Sequence, residues 1–256
     1  MTNSLSVYFL VLISFISCDN ECEDIVDFYD SGNKKVILSY PDCNDKNTYL
    51  KITYHENGQI SSKGFIKSNL KNGLFQKWSD SGVLLAKWRM QDNLEVGLTE
   101  CWYENENKKS ETNFKNGIKS GNYKAWDKNG KLILKGNFKE DKRQGKWEIY
   151  SENGNWKIEN YNNGKLHGIA FEYIVKENDT SYVAGQYRNG KENGKWKWFN
   201  KDSLLVETID FQKGKHNGEH RMYYTNGNFK VKGYLIDHKY NGDLFMFDSL
   251  GNRIKK

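Results

Sequence analysis

Residues Gly121–Gly145 read GNYKAWDKNGKLILKGNFKEDKRQG. A glycine opens the stretch, rings follow at Tyr123 and Trp126, Asn129-Gly130 marks a turn, and Leu132, Leu134, Gly136 and Phe138 alternate with polar residues. Alternation with period two is the signature of a half-buried strand, and the two turn signals make the stretch a β-hairpin.

The same arrangement recurs outward in both directions. Glycines stand at 73, 97, 121, 145, 168, 194, 218 and 242, at spacings of 24, 24, 24, 23, 26, 24 and 24. Five residues after each comes a ring: Trp78, Trp102, Trp126, Tyr150, Tyr173, Phe199, Tyr223 or Phe247. Seven before each following glycine stands Met90, Phe114, Phe138, Tyr161, Tyr187, Phe211 or Leu235, so the length changes fall between these two anchors, where a hairpin turn belongs. Ser81-Gly82, Asn129-Gly130, Asn153-Gly154, Asn226-Gly227 and Leu250-Gly251 occupy that place, and Asn-Gly predicts tight type I′ turns there. A second turn signal follows each strand pair, as in Asn116-Gly117, Asn163-Gly164, Asn189-Gly190 and Lys213-Gly214.

A hairpin of this size cannot hide enough apolar surface to stand alone, so each must stack on its neighbours. The expected fold is all-β: an elongated antiparallel meander of stacked hairpin repeats, forming a twisted or curved open sheet. Eight units are legible, with a degenerate leading one around Tyr54, Gly58, Ile60 and Ile66. Composition agrees, because hydrophobic residues make up only 37% of the 256 while aromatics reach 14%, so rings must carry the burial.

The N-terminus differs. An apolar run from Leu5 to Ile16 has the length of a secretory core and is too short to span a bilayer. Residues 18–47 hold eight acids and three lysines, a net −5, which leaves +11 on the rest of a chain whose total is +6. The reading is therefore an export signal over 1–17, an acidic tether over 18–47 and a basic repeat domain over 48–256. Cys22 and Cys43 flank the acidic segment and are candidates for a disulfide in an oxidising compartment. Cys101 falls at a repeat position that is apolar elsewhere and reads as a small buried hydrophobe.

Chemistry is sparse. His216 and His220 are the one pair of histidines at a metal-like spacing, and on a straight strand they would lie about 13 Å apart, too far for one zinc ion. His167 and His216 read as turn residues. No G-x-S-x-G, H-E-x-x-H or phosphate-loop pattern occurs, so neither catalysis, a cofactor nor a metal is expected. Trp126, Trp147, Trp196 and Trp198 carry two readings: a ladder stacking sugar rings or a partner's strand, or packing between hairpins, with packing favoured. A basic, ring-rich body is also compatible with single-stranded nucleic acid, which the export signal disfavours.

The pattern G-x-aromatic-x-x-aromatic-x-x-x-G, best seen in GNYKAWDKNG and GKWEIYSENG, resembles the MORN repeat, and more closely the MORN-variant repeats of the YwqK-like antitoxin family. That resemblance implies a β-sheet scaffold supporting protein or lipid contacts. Phe15-Ile16-Ser17-Cys18 resembles the lipobox of bacterial lipoproteins, which implies lipidation of Cys18, and the acidic residues after it resemble the surface-export signal of Bacteroidota lipoproteins. The expected protein is thus a non-enzymatic scaffold, lipid-anchored at the bacterial outer membrane or cell surface, with plain secretion the lesser alternative, that binds another protein. A glycan- or anionic-lipid-binding surface, or an antitoxin or immunity partner, are the competing readings.

Overall fold

A computed structural model describes residues 22–176 and 179–254. Residues 1–17 and the lipobox-like Cys18 lie outside the described residues. Twenty-two strands from Cys22–Phe28 to Arg253–Ile254 form one antiparallel sheet, with no helix among the described residues. Strands neighbouring in sequence pair in space, except that Lys165–Leu166 and Gly168–Lys176 both pair with Trp156–Asn162, and Lys239–Tyr240 and Phe245–Phe247 both pair with Phe229–Ile236.

The two rims of this meander differ in turn chemistry. At one rim nine loops share a single geometry: in 127–131 the Asp127 amide donates to the Lys131 carbonyl and the Gly130 amide to the Asp127 carbonyl. Only the fourth loop residue there has a positive φ, as at Gly130 (81°). This is a type I turn followed by a left-handed bulge residue, not the type I′ turn expected from Asn129-Gly130. Asn needs no left-handed angle in it and serves through its side chain: Asn57, Asn105 and Asn226 each donate to a carbonyl of the next loop, at 2.7, 2.6 and 2.7 Å. Type I′ geometry occurs at the opposite rim, where both central residues have positive φ, as in Asn116 (52°) and Gly117 (78°).

The repeat glycine makes the bend that gives the sheet its core. Between Lys135↔Glu148 and Asn137↔Gln144 one strand advances two residues while its partner advances four, a bulge centred on Gly145 with φ 66°. Bulges bend and twist a strand. Arg143 consequently folds back over the ring of Trp147, its guanidinium carbon 4.4 Å from the ring centroid. Equivalent bulges occur beside Gly73, Gly97, Gly121, Gly194 and Gly218.

Inside the bend lie the rings two places after the glycine. Trp147 is fully buried and Phe75 and Trp196 nearly so, while the anchors five places after it, Trp78 to Phe247, are only half-buried. Residues three apart on a strand face opposite sides, so the anchors line the other surface. Each large ring lies over a missing side chain: a Cβ added to Gly136 would meet the Trp147 ring at 2.2 Å, one on Gly185 the Trp196 ring at 2.1 Å, and one on Gly64 the Phe75 ring at 2.0 Å. Edge-to-face contacts extend these rings into a chain, Tyr123–Phe138–Trp147–Tyr161, with centroids 5.0 to 6.3 Å apart.

The acidic segment is not a free tether. From Cys22 onward it forms the hairpin Cys22–Phe28 and Lys34–Tyr40, which pairs with Thr48–Tyr54 and carries the same loop at 29–33. Ile37 and Tyr40, three apart and so on opposite faces of their strand, are both buried. Cys22 and Cys43 are disulfide-bonded, with Cα atoms 5.4 Å apart. The length changes fall between the anchors as expected. Tyr150↔Trp156 lacks the bulge residue found after other loops, and Gly168–Lys176 with Asp179–Arg188 is a longer hairpin.

Gly136→Ala should lower stability by about 1–3 kcal/mol in urea unfolding, because the new methyl has no room under Trp147. Gly136→Thr combined with Trp147→Tyr, which copies the Thr112↔Tyr123 pair next door, should recover most of that loss. Reducing the disulfide should cost the first hairpin roughly 3 kcal/mol of loop-closure stabilisation. Hydrogen exchange should then quicken over 22–40 and stay unchanged beyond 60.

Candidate interaction surface

With the bend filled by rings, chemistry open to a partner lies on the outer face and the two rims. On the outer face, Tyr150↔Trp156, Trp156↔Tyr173, Tyr173↔Tyr182 and Tyr182↔Phe199 are directly opposed, giving a row of half-buried rings in register across neighbouring strands. Trp156 and Tyr173 stack at 6.0 Å and Tyr182 and Phe199 at 4.9 Å, with planes 29° and 18° apart. The row arises because the shortened loop and the longer hairpin bring Trp156 and Tyr182, residues of the second strand in each unit, level with the anchors. The periodic anchors alone did not disclose it; the signal was the pair of irregular spacings.

Of the two readings for Trp126, Trp147, Trp196 and Trp198, Trp147 and Trp196 follow the favoured one, packing between hairpins, and no surface ladder of the four forms. Trp147 and Trp196 sit inside the bend, Trp196 packing with Tyr187 and Phe211, while Trp126 occupies the opposite face. Cys101 is half-buried and opposite Ala86 and Ser110.

The histidines also move from their expected places. His216 and His220 straddle the bulge at Gly218, so the straight-strand separation does not apply. His216 is a strand residue whose ring lies 4.6 Å from both Phe211 and His238, and burial first, then the imidazoles of His238 and His220, hold its pKa below the usual value. His220 is buried, with Nδ1 2.6 Å from the Tyr240 hydroxyl and Nε2 2.8 Å from Glu207 Oε1. His167 is exposed at a break between strands. Among the described residues no three His, Cys, Asp or Glu side chains are grouped to hold a metal, and no helix is long and apolar enough to cross a membrane.

Beside the outer ring row, Glu148 accepts from Lys135 at 2.8 Å, from the Tyr150 hydroxyl at 2.5 Å and from Lys146 at 3.0 Å. These bonds hold its carboxyl at about 2, against a usual value near 4.5, with Lys135 the largest cause.

Residues 95–116 and 119–140 match the MORN repeat variant. Each matched segment starts within one glycine-bulged strand and ends beyond its hairpin partner, so the family's unit coincides with the hairpin that the sheet repeats. Among curated proteins nothing matches the chain. Two adjacent hairpins of the sheet are thus similar to the MORN repeat variant, and most of the other hairpins repeat their loop geometry and glycine bulge.

Glu148 gives this surface a defined acid response. Its lowered pKa means that its stabilising contribution is complete above pH 4.5 and is lost as pH falls toward 2. Glu148→Gln should be less stable than wild type at pH 7, and the difference should shrink as unfolding is measured from pH 4.5 down to 2.

Proposed function

We propose that the chain is a non-enzymatic scaffold, held at the bacterial cell envelope by lipid on Cys18, whose outer face binds another envelope protein. The observation that carries the reading is the registered row Tyr150–Trp156–Tyr173–Tyr182–Phe199 on a face with one repeating geometry. Protein interfaces are enriched in such aromatic side chains, and repeat arrays use extended surfaces of this kind for contact. The stacking within the row favours a protein over a glycan. Trp156 with Tyr173, and Tyr182 with Phe199, turn ring faces toward each other, whereas a sugar needs an open face to lie on. Envelope placement rests on the lipobox-like residues before Cys18, and an exported protein is poorly placed to neutralise a cytosolic toxin.

Growth with a labelled palmitate should mark wild type in the membrane fraction and leave Cys18→Ala unlabelled and released. Capture from solubilised envelopes on the purified chain should enrich a discrete protein over a bead control. Equal labelling of both forms removes the anchor, and capture of nothing above control removes the scaffold.

A further inference from the structure

A recess lies away from the outer ring row, at the loop rim of the matched repeats. It encloses about 670 Å³, within the ~300–1,000 Å³ range of ligand sites. Ala86 and Cys101, directly opposed, line it beside Lys77, and their register row continues into Ser110 and buried Ala125. Farther along, the same row holds Leu134, Ile149, Trp198 and Met222, so the hollow exists where four adjacent strands present small residues.

Its borders are fixed and charged. The Tyr103 hydroxyl donates to the Trp126 carbonyl at 2.9 Å, and Asn105 donates to the Lys128 carbonyl at 2.6 Å, which locks neighbouring loops together. Three exposed lysines converge on the recess, Lys77, Lys109 and Lys128, against one acid, Glu104. Among the described residues none of these lysines is in an ion pair; Lys109 lies only over the Tyr103 ring, 5.5 Å from its centroid. Trp102 and Tyr103 add apolar wall against which the stem of a side chain can pack.

Resting on the scaffold reading above, we propose that this recess docks an acidic, extended segment of the partner protein, its carboxylates meeting Lys77, Lys109 and Lys128 and its side-chain stems lying over the small-residue row. Complementary charge here sets which partner segment is accepted and how fast it arrives. Glu104 lines one side of the recess, so the carboxylates of the segment gather toward the three lysines.

The test uses the purified chain with a hexaglutamate peptide as probe, followed by calorimetry at low and high salt. Wild type should bind, with affinity falling as salt rises. The triple variant Lys77→Glu/Lys109→Glu/Lys128→Glu should bind roughly tenfold or more weakly. A control of equal charge change on the other rim, Lys142→Glu/Lys191→Glu/Lys239→Glu, should retain wild-type affinity. The neutral set Lys77→Gln/Lys109→Gln/Lys128→Gln, checked for unchanged thermal unfolding, should also lose affinity, which covers misfolding of the reversed set. Equal loss in both reversed sets, no peptide binding by wild type, or binding of anionic-lipid vesicles in place of peptide would each overturn the site. An envelope protein captured equally by wild type and the recess triple would leave the scaffold standing and remove this docking site; capture of nothing by wild type would remove the scaffold itself.

Discussion

The fold depends on a ring from one strand lying where its neighbour has no side chain. Burying a Trp such as Trp147 removes roughly 150–250 Å² from water, about 4–6 kcal/mol before entropy is charged against it. A single-layer sheet offers nowhere to hide such a ring unless the sheet bends and the facing strand makes room. Gly136, Gly185 and Gly64 make the room under Trp147, Trp196 and Phe75, and the bulge at the repeat glycine makes the bend. Where the glycine is absent the pair is rebalanced: Thr112 faces Tyr123, and Ile209 faces His220.

That arrangement decides what remains for function. Because the bend consumes the rings two places after the glycine, the half-buried anchors are left on the outer face, where successive loops and strands keep them in register. The rims are stitched separately, by Asn side chains on the loop side and by turn amides on the other, as where the Gly117 amide reaches the Glu95 carbonyl at 2.8 Å. Core, outer face and rims can thus vary independently. The row containing Ala86, Cys101, Ser110 and Ala125 is small while the ring chain runs alongside it on the same face, Ala125 lying two places from Tyr123.

Most of the architecture was legible because glycine and ring positions are one-dimensional signals: a bulge needs a residue free to take positive φ, and a ring must recur wherever a hairpin stacks. The unit length, strand alternation and place of the length changes all followed. The assignment of core to surface did not. Both Trp147 and Tyr150 are rings on one strand, and which faces inward depends on the sense of a bend that Gly145 permits but does not announce. The turn type at the loop rim was misread for a related reason, since Asn129-Gly130 satisfies a type I turn with a bulge as well as a type I′ turn; loop length decides, and loop length is a pairing property. The first hairpin was missed because Glu23, Asp24, Asp27 and Asp30 make its first strand and loop read as a charged tether, while Ile37 and Tyr40, buried on opposite faces of the second strand, give no period-two signal. As for the interaction surface, its anchors were visible, but Trp156 and Tyr182 join them only through irregular spacings whose structural meaning needs the register.

The unit at Gly168 shows what happens when the central interaction is withdrawn. Ala170 replaces the large ring, and Glu159 occupies the facing position that is glycine in the two flanking hairpin pairs. Its carboxylate accepts from Lys157 at 2.7 Å and from the Tyr161 hydroxyl at 2.6 Å, and Arg143 in turn donates to that hydroxyl at 3.0 Å while lying over Trp147. Polar bonds therefore carry the neighbour-to-neighbour contact across a step where ring contacts stop, and the ring chain resumes with Tyr187, Trp196 and Phe211. Burying a carboxylate is favourable only with its partners in place. The irregular unit must then be held by several residues at once, whereas a regular unit needs one ring and one glycine. That difference explains why the sequence pattern blurs at this step although the sheet does not break.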